Sequence, residues 1–165
     1  MIREGSLVRL HLLRHADAGD PGAWEGPDEI RPLSPKGQRQ AERLAALLAG
    51  GGFAPDAILS SPMTRARETA EIVAAALGRP VRIDPRLAGP LELATVEAIL
   101  ADAGDPARPI LVGHDPEFSA LAGELTGAVG LQLRKGTFAR IDAERPLEPG
   151  GGVLRWLVPP DLLRP

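Results

Sequence analysis

The chain contains no cysteine. That excludes disulfides, thiolate zinc sites and every mechanism with a cysteine nucleophile, the cysteine-dependent phosphatases among them. Aromatic residues are scarce, at 3% of 165 residues. A core must therefore be built from Leu, Ala, Val and Ile, with little material left for stacking nucleic-acid bases. The net charge of -3 gives no general attraction to nucleic acid or to acidic membranes. Long hydrophobic runs are missing too. The N-terminal apolar stretch is broken by Arg9 and closes on Arg14-His15, which fits neither a signal-peptide core nor a membrane span. The expectation is a cytoplasmic protein without nucleic-acid or membrane partners.

At 44% hydrophobic content the chain can bury one sizeable core, so a single domain over residues 1–165 is expected. Leu7 to Leu13 is short and apolar and runs into a long polar loop, as a buried strand does. Ser34 with Pro35 opens a helix that the Gly50 to Gly52 run stops, so those glycines terminate a helix and do not form a phosphate loop. Strand patterns recur at "DAILSSP", "PVRIDP", "RPILVGHDP", "GTFARIDA" and "GGVLRWLVP", with helical patterns at "MTRARETAEIVAAALG", "LATVEAILADAG" and "EFSALAGELTG". This alternation predicts an α/β fold, a three-layer α/β/α sandwich around a mostly parallel central sheet. Such sheets hold ligands beyond the carboxyl ends of their strands, where Arg14-His15, Ser60-Ser61 and Gly113-His114 all fall.

Histidine is the remaining scarcity, with three in the chain. His11 and His15 are four residues apart, a metal-ligand spacing on a helix, but on a strand they stand about 13 Å apart and share no ion. His11 lies inside the apolar run and reads as a core residue. His15 lies where that run ends, directly after Arg14. Arg65 opens the "TRARETA" helix, where backbone amides and the helix dipole favour an anion, although Arg65, Arg67 and Glu68 also fit a plain charged helix face. His114 emerges after Gly113, which permits a tight backbone path. Two imidazoles and two guanidiniums on one sheet edge point to phosphoryl transfer without metal or other cofactor. Guanidiniums match phosphate oxygens in bidentate geometry, and a neutral imidazole attacks phosphorus. No Asp-x-Asp pair follows the first strand, which counts against an aspartate nucleophile.

Taken together, "LLRHADA", "LSSPMTRARETA" and "LVGHDP" resemble, in order, the three signature segments of the histidine phosphatase superfamily, and "RPLSPKGQRQAERLA" resembles its Arg-Pro-Leu-Ser/Thr-x-x-Gly helix opening. The likeness spans Leu10 to Pro116 and is nearest to the short phosphohistidine phosphatases of the SixA type. It implies a phosphoglycerate mutase-like fold, with His15 as the nucleophile that is transiently phosphorylated and Arg14, Arg65 and His114 as the catalytic phosphate pocket. One feature departs from the pattern: where many relatives carry an acid after the third strand, this chain has Arg86. Asp17 and Glu92 are the remaining candidate proton donors, and each also fits a solvated loop carboxylate. An alcohol leaving group needs such a donor, worth ~10²–10⁴-fold. An imidazole, with a conjugate-acid pKa of about 6.5, needs less help. The expected substrate is therefore a phosphohistidine on a protein. The alternatives are a small phosphorylated metabolite or a phosphoprotein-binding module without turnover.

Overall fold

Alternation along the strands decides which layer each residue builds. In the computed structural model, which describes residues 6–164, β1 (Ser6–Arg14) sends Leu10 and Leu12 to one face and Leu13 to the other. After it come α1 (Pro35–Gly50), β2 (Ala57–Ser60), α2 (Thr64–Leu77), β3 (Val81–Ile83), α3 (Leu93–Asp102), β4 (Pro109–Gly113), α4 (Glu117–Thr126), β5 (Phe138–Arg145) and β6 (Gly152–Val158). Ile58, Ile110 and Val112 join Leu13 beneath Leu44, Leu48 and Val73 of α1 and α2. Leu59 and Leu111 face the other way, onto Val96, Ile99, Phe118 and Leu121 of α3 and α4. Strands apolar on both faces, covered by helices on both, give the expected three layers.

The strand order is β3-β2-β4-β1-β5-β6, with β3, β2, β4 and β1 parallel and β5 and β6 antiparallel to their neighbours. The chain leaves β1 through α1, builds β2 and β3, then returns through α3 to place β4 between β2 and β1. Neighbouring β1 and β4 thus continue into helices on opposite faces, which opens a crevice beyond their carboxyl ends. Their register pairs Arg14 with Gly113. The next residues on each strand are His15 and His114.

Local chemistry fixes the helix ends. The Ser34 hydroxyl accepts a hydrogen bond from the Gly37 amide at 3.1 Å, and Pro35 fills the first turn of α1. Gly78 closes α2 at φ 64°, a left-handed position that glycine takes without strain. The polar segment after His15 folds back as two short 3-10 turns, Pro21–Ala23 and Asp28–Ile30. Among the described residues no helix is long and apolar enough to cross a membrane.

Candidate active site

His15 is buried at the end of β1, its amide donating to Gly113 O at 3.0 Å. Its Nδ1 lies 2.8 Å from the Ala16 carbonyl, an acceptor only, so Nδ1 carries the proton and Nε2 keeps its lone pair. Burial, with the nearby His114, Arg65 and Arg14, lowers the His15 pKa to about 3, against the opposing pull of the Ala16 carbonyl. The ring is therefore neutral at physiological pH. The His114 ring lies 5.3 Å away, centroid to centroid. Its pKa is lowered to about 4 by burial and by Arg65 and Arg14. His114 Nε2 shares a 2.7 Å hydrogen bond with Ser61 Oγ, which also accepts from the Met63 amide.

The two arginines reach this crevice from opposite directions. Arg14 comes from β1, its Nη1 donating to Leu133 O at 2.9 Å and lying 3.6 Å from Asp115 Oδ2. Arg65 comes from the first turn of α2, its Nη1 donating to Asp28 O and its Nη2 to Asp28 Oδ2 at 3.1 Å. Thr69 joins that turn to the residue after His15: its hydroxyl donates to Arg65 O and accepts from the Ala16 amide. Among the described residues, the buried side-chain polar atoms without any partner are Arg14 Nε, Arg65 Nε and Thr137 Oγ1. Two unpaired guanidinium N–H groups in one crevice are costly unless an anion arrives to accept from them.

The "RPLSPKG" segment builds the wall beside His15. Arg31 is buried and donates to Ala18 O at 2.7 Å and to Asp28 Oδ1 at 3.0 Å. Ser34 Oγ donates to Asp17 Oδ2 at 2.6 Å. Gly37 lies so close to the Asp17 backbone that any side chain there would overlap the Asp17 carbonyl oxygen. On the other side, a methyl on Gly113 would stand 2.7 Å from the Phe118 ring.

Of the residues singled out in the sequence, Arg14, His15, Arg65 and His114 converge. His11 stays apart. It is buried against Phe53, Phe138 and Trp156, with Nδ1 3.0 Å from Pro109 O. Burial alone would raise the Asp17 pKa. Ser34, the Gly19 amide, Lys135 and Lys36 outweigh it and hold the carboxyl below its usual range. Glu92 is exposed at the N-cap of α3 and makes no side-chain hydrogen bond there. Arg86, standing where an acid was expected, is an anchor for Asp84 (2.6 Å) and Asp102 (2.8 Å). Sequence reasoning did not foresee Asp28, Asp115 or the part of Ser61 as partner to His114. The "HDP" and "SSP" signatures contain two of them, but nothing in the polar loop marks Asp28.

The profile of the histidine phosphatase superfamily (branch 1) matches residues 10–108, which includes His15 and Arg65 and stops short of His114. An uncharacterized protein of Picosynechococcus sp. is 36% identical over 118 residues, covering 70% of this chain and 71% of that one. Among solved structures, the protein histidine phosphatase SixA complexed with tungstate superposes with a TM-score of 0.81 at 25% identity, over 95% of this chain and 100% of that one. A structure from Agrobacterium tumefaciens assigned to phosphohistidine phosphatase SixA gives 0.74 at 25% identity, over 92% and 97%. With sequence profile, relatives and fold in agreement, this chain belongs to the histidine phosphatase superfamily and is a phosphatase.

Proposed function

We propose that the protein removes the phosphoryl group from phosphohistidine on another protein, through a covalent intermediate on His15. The observation that carries this reading is the pair of buried, partnerless Arg14 Nε and Arg65 Nε donors beside a neutral His15 whose Nε2 bears the lone pair. In the first step Nε2 attacks phosphorus in line, the P–Nε2 bond forms, the bond to the substrate imidazole breaks, and the leaving nitrogen takes a proton from solvent water. Arg14, Arg65 and His114 bind the three equatorial oxygens, whose charge grows in transfer. The phosphorylated ring is cationic, and its Nδ1–H donating to Ala16 O stabilises it. Water then attacks phosphorus, Nε2 departs, and inorganic phosphate is released.

The choice of leaving group follows from the carboxylates. Asp17 is held ionised by Ser34 and two lysines and is a poor proton donor at neutral pH. Glu92 has no contact that directs it to the site. A substrate whose leaving nitrogen needs little protonation suits such a site better than an alkyl phosphate does. The solved SixA with tungstate, an oxyanion of phosphate-like shape, supports the same reading.

Incubation with a phosphohistidine protein should leave acid-labile phosphate on His15. H15A should abolish turnover of both that protein and p-nitrophenyl phosphate. Arg65→Ala should lower kcat/KM by ~10²–10³, as loss of a preorganised donor does. Full activity in H15A would overturn the mechanism. Hydrolysis of sugar or nucleotide phosphates far faster than phosphohistidine would instead assign a small-molecule phosphomonoesterase.

A further inference from the structure

Beside the phosphate crevice runs a polar groove between α1 and the C-terminal 3-10 turn Pro160–Leu163. Two cavities of about 380 and 410 Å³ share Lys36, Gln40, Pro160, Asp161 and Arg164, so they form one continuous trough, and its inner end is Arg14. The trough is strongly cationic in a chain of net charge -3: Lys36, Arg39 and Arg43 line it from α1, and Arg134, Lys135 and Arg164 from the other side. The carboxylates facing it are Asp17, 3.7 Å from Lys135, and Asp161, 3.4 Å from Arg164. Lys36, Arg39, Arg43 and Arg134 enter no ion pair among the described residues.

Helix stability does not account for this arrangement. Lys36, Arg39 and Arg43 stand three and four residues apart, so like charges are neighbours on one stripe. They also begin at the positive end of the helix dipole, and the first turn of α1 has no acidic residue. Both features oppose folding of α1, and both favour an anion laid along it. The lining offers no aromatic ring and Pro160 as its single apolar residue. It therefore suits charge and not a nucleobase.

We propose that this trough docks an acidic face of the phosphorylated protein, taking carboxylates that flank the phosphohistidine while the phosphoryl group enters beside Arg14. This rests on the phosphohistidine reading above. The extended, open shape fits side chains presented along a surface, and the link to Arg14 sets phosphoryl group and carboxylates in one register.

The test compares two synthetic phosphohistidine peptides, identical except that glutamates in one flank are glutamines in the other, with wild-type protein and with the double variant R39Q/R43Q. Arg39 is exposed and Arg43 half-buried on α1, and a thermal melt checks that the fold is kept. Wild type should prefer the acidic peptide by about tenfold in kcat/KM, mostly through KM, from a few exposed ion pairs acting together. The preference should shrink to within about twofold in the variant and fade at high salt. With p-nitrophenyl phosphate, which is too small to reach the trough, wild type and variant should be alike. Equal hydrolysis of the two peptides by wild type would overturn the docking surface and leave phosphohistidine hydrolysis standing. Hydrolysis of neither would remove the phosphohistidine reading, and this inference with it. Preference for a sugar bisphosphate over the monophosphate that disappears in R39Q/R43Q, without discrimination between peptides, would overturn the choice of a protein ligand.

Discussion

Asp28 binds two arginines at once, Arg31 through Oδ1 and Arg65 through Oδ2 and its own carbonyl. Arg31, then the charge of Arg65, hold its carboxyl below the usual range, so it is ionised whenever a phosphate approaches. If Arg65 binds the phosphoryl group as proposed, an incoming oxyanion competes with Asp28 for it. The Asp28 side chain is 54% exposed, so the competition is screened and modest. Arg65 keeps its place without the carboxylate, because the Asp28 carbonyl still accepts from Nη1 and the first turn of α2 is tied to Thr69. Asp28→Ala should therefore bind tungstate roughly two- to fivefold more tightly, measured as inhibition of p-nitrophenyl phosphate hydrolysis. Weakening by a similar factor would show instead that the carboxylate braces Arg65 for binding. Asp28 was also the residue least visible in the sequence. His15 could be read because a strand visibly ends there, and Arg65 because a helix visibly begins. The pairing of Asp28 with Arg65 depends on how a polar loop folds back, and no periodicity encodes that.

At the level of elements, the first turn of α1 is both a helix start and part of the site wall. Ser34 accepts from Gly37 N and donates to Asp17, and Ser34 N donates to Asp17 O. The two bonds to Asp17 lie at the close backbone approach that only glycine at position 37 permits. Gly37→Ala must push α1 away from Asp17, and with it the loop that follows His15. A destabilisation of about 1–3 kcal/mol is expected from such overpacking, together with a loss of kcat that exceeds the change in KM. Ser34→Ala removes the cap, at about 1 kcal/mol, and the bond to Asp17 Oδ2, which water replaces at that partly exposed carboxylate. Urea melts of the two variants should rank them in that order, and an unperturbed melt for Gly37→Ala would refute the close approach. The helix itself was legible, since Ser34, Pro35 and the terminating glycines are local signals. So were the other helices and all six strands. Strand order was not, because inserting β4 between β2 and β1 depends on which apolar faces fit together, and β2 and β4 are each buried on both.

Across the whole molecule, the three histidines share one property with a consequence for stability. His11 and His114 are lowered to about 4 and His15 to about 3, in each case first of all by burial. In the unfolded chain each returns to about 6.5. Above that pH both states are neutral and histidine contributes no slope. As pH falls from about 6.5 toward 4, the unfolded chain takes up protons that the folded protein excludes, so folding stability declines. The limiting slope is about 1.4 kcal/mol per pH unit for each histidine, large against a total of roughly 5–15 kcal/mol. The lowered aspartates act in the same direction but at more acid pH, where Asp17, Asp28 and Asp142 are finally protonated. Acid unfolding should therefore begin in the histidine window, before the carboxylates titrate. His11 separates this effect from catalysis, because it lies among Phe53, Phe138 and Trp156, away from the phosphate crevice. His11→Gln should reduce the slope of unfolding free energy against pH between 6 and 5 by about a third, whatever it does to stability at pH 7. Urea titrations at several pH values measure that slope directly. An unchanged slope would mean that His11 is already protonated in the fold. In proton NMR the same window should show His15 failing to titrate in the free protein, and tungstate should raise its pKa by placing negative charge beside Nε2.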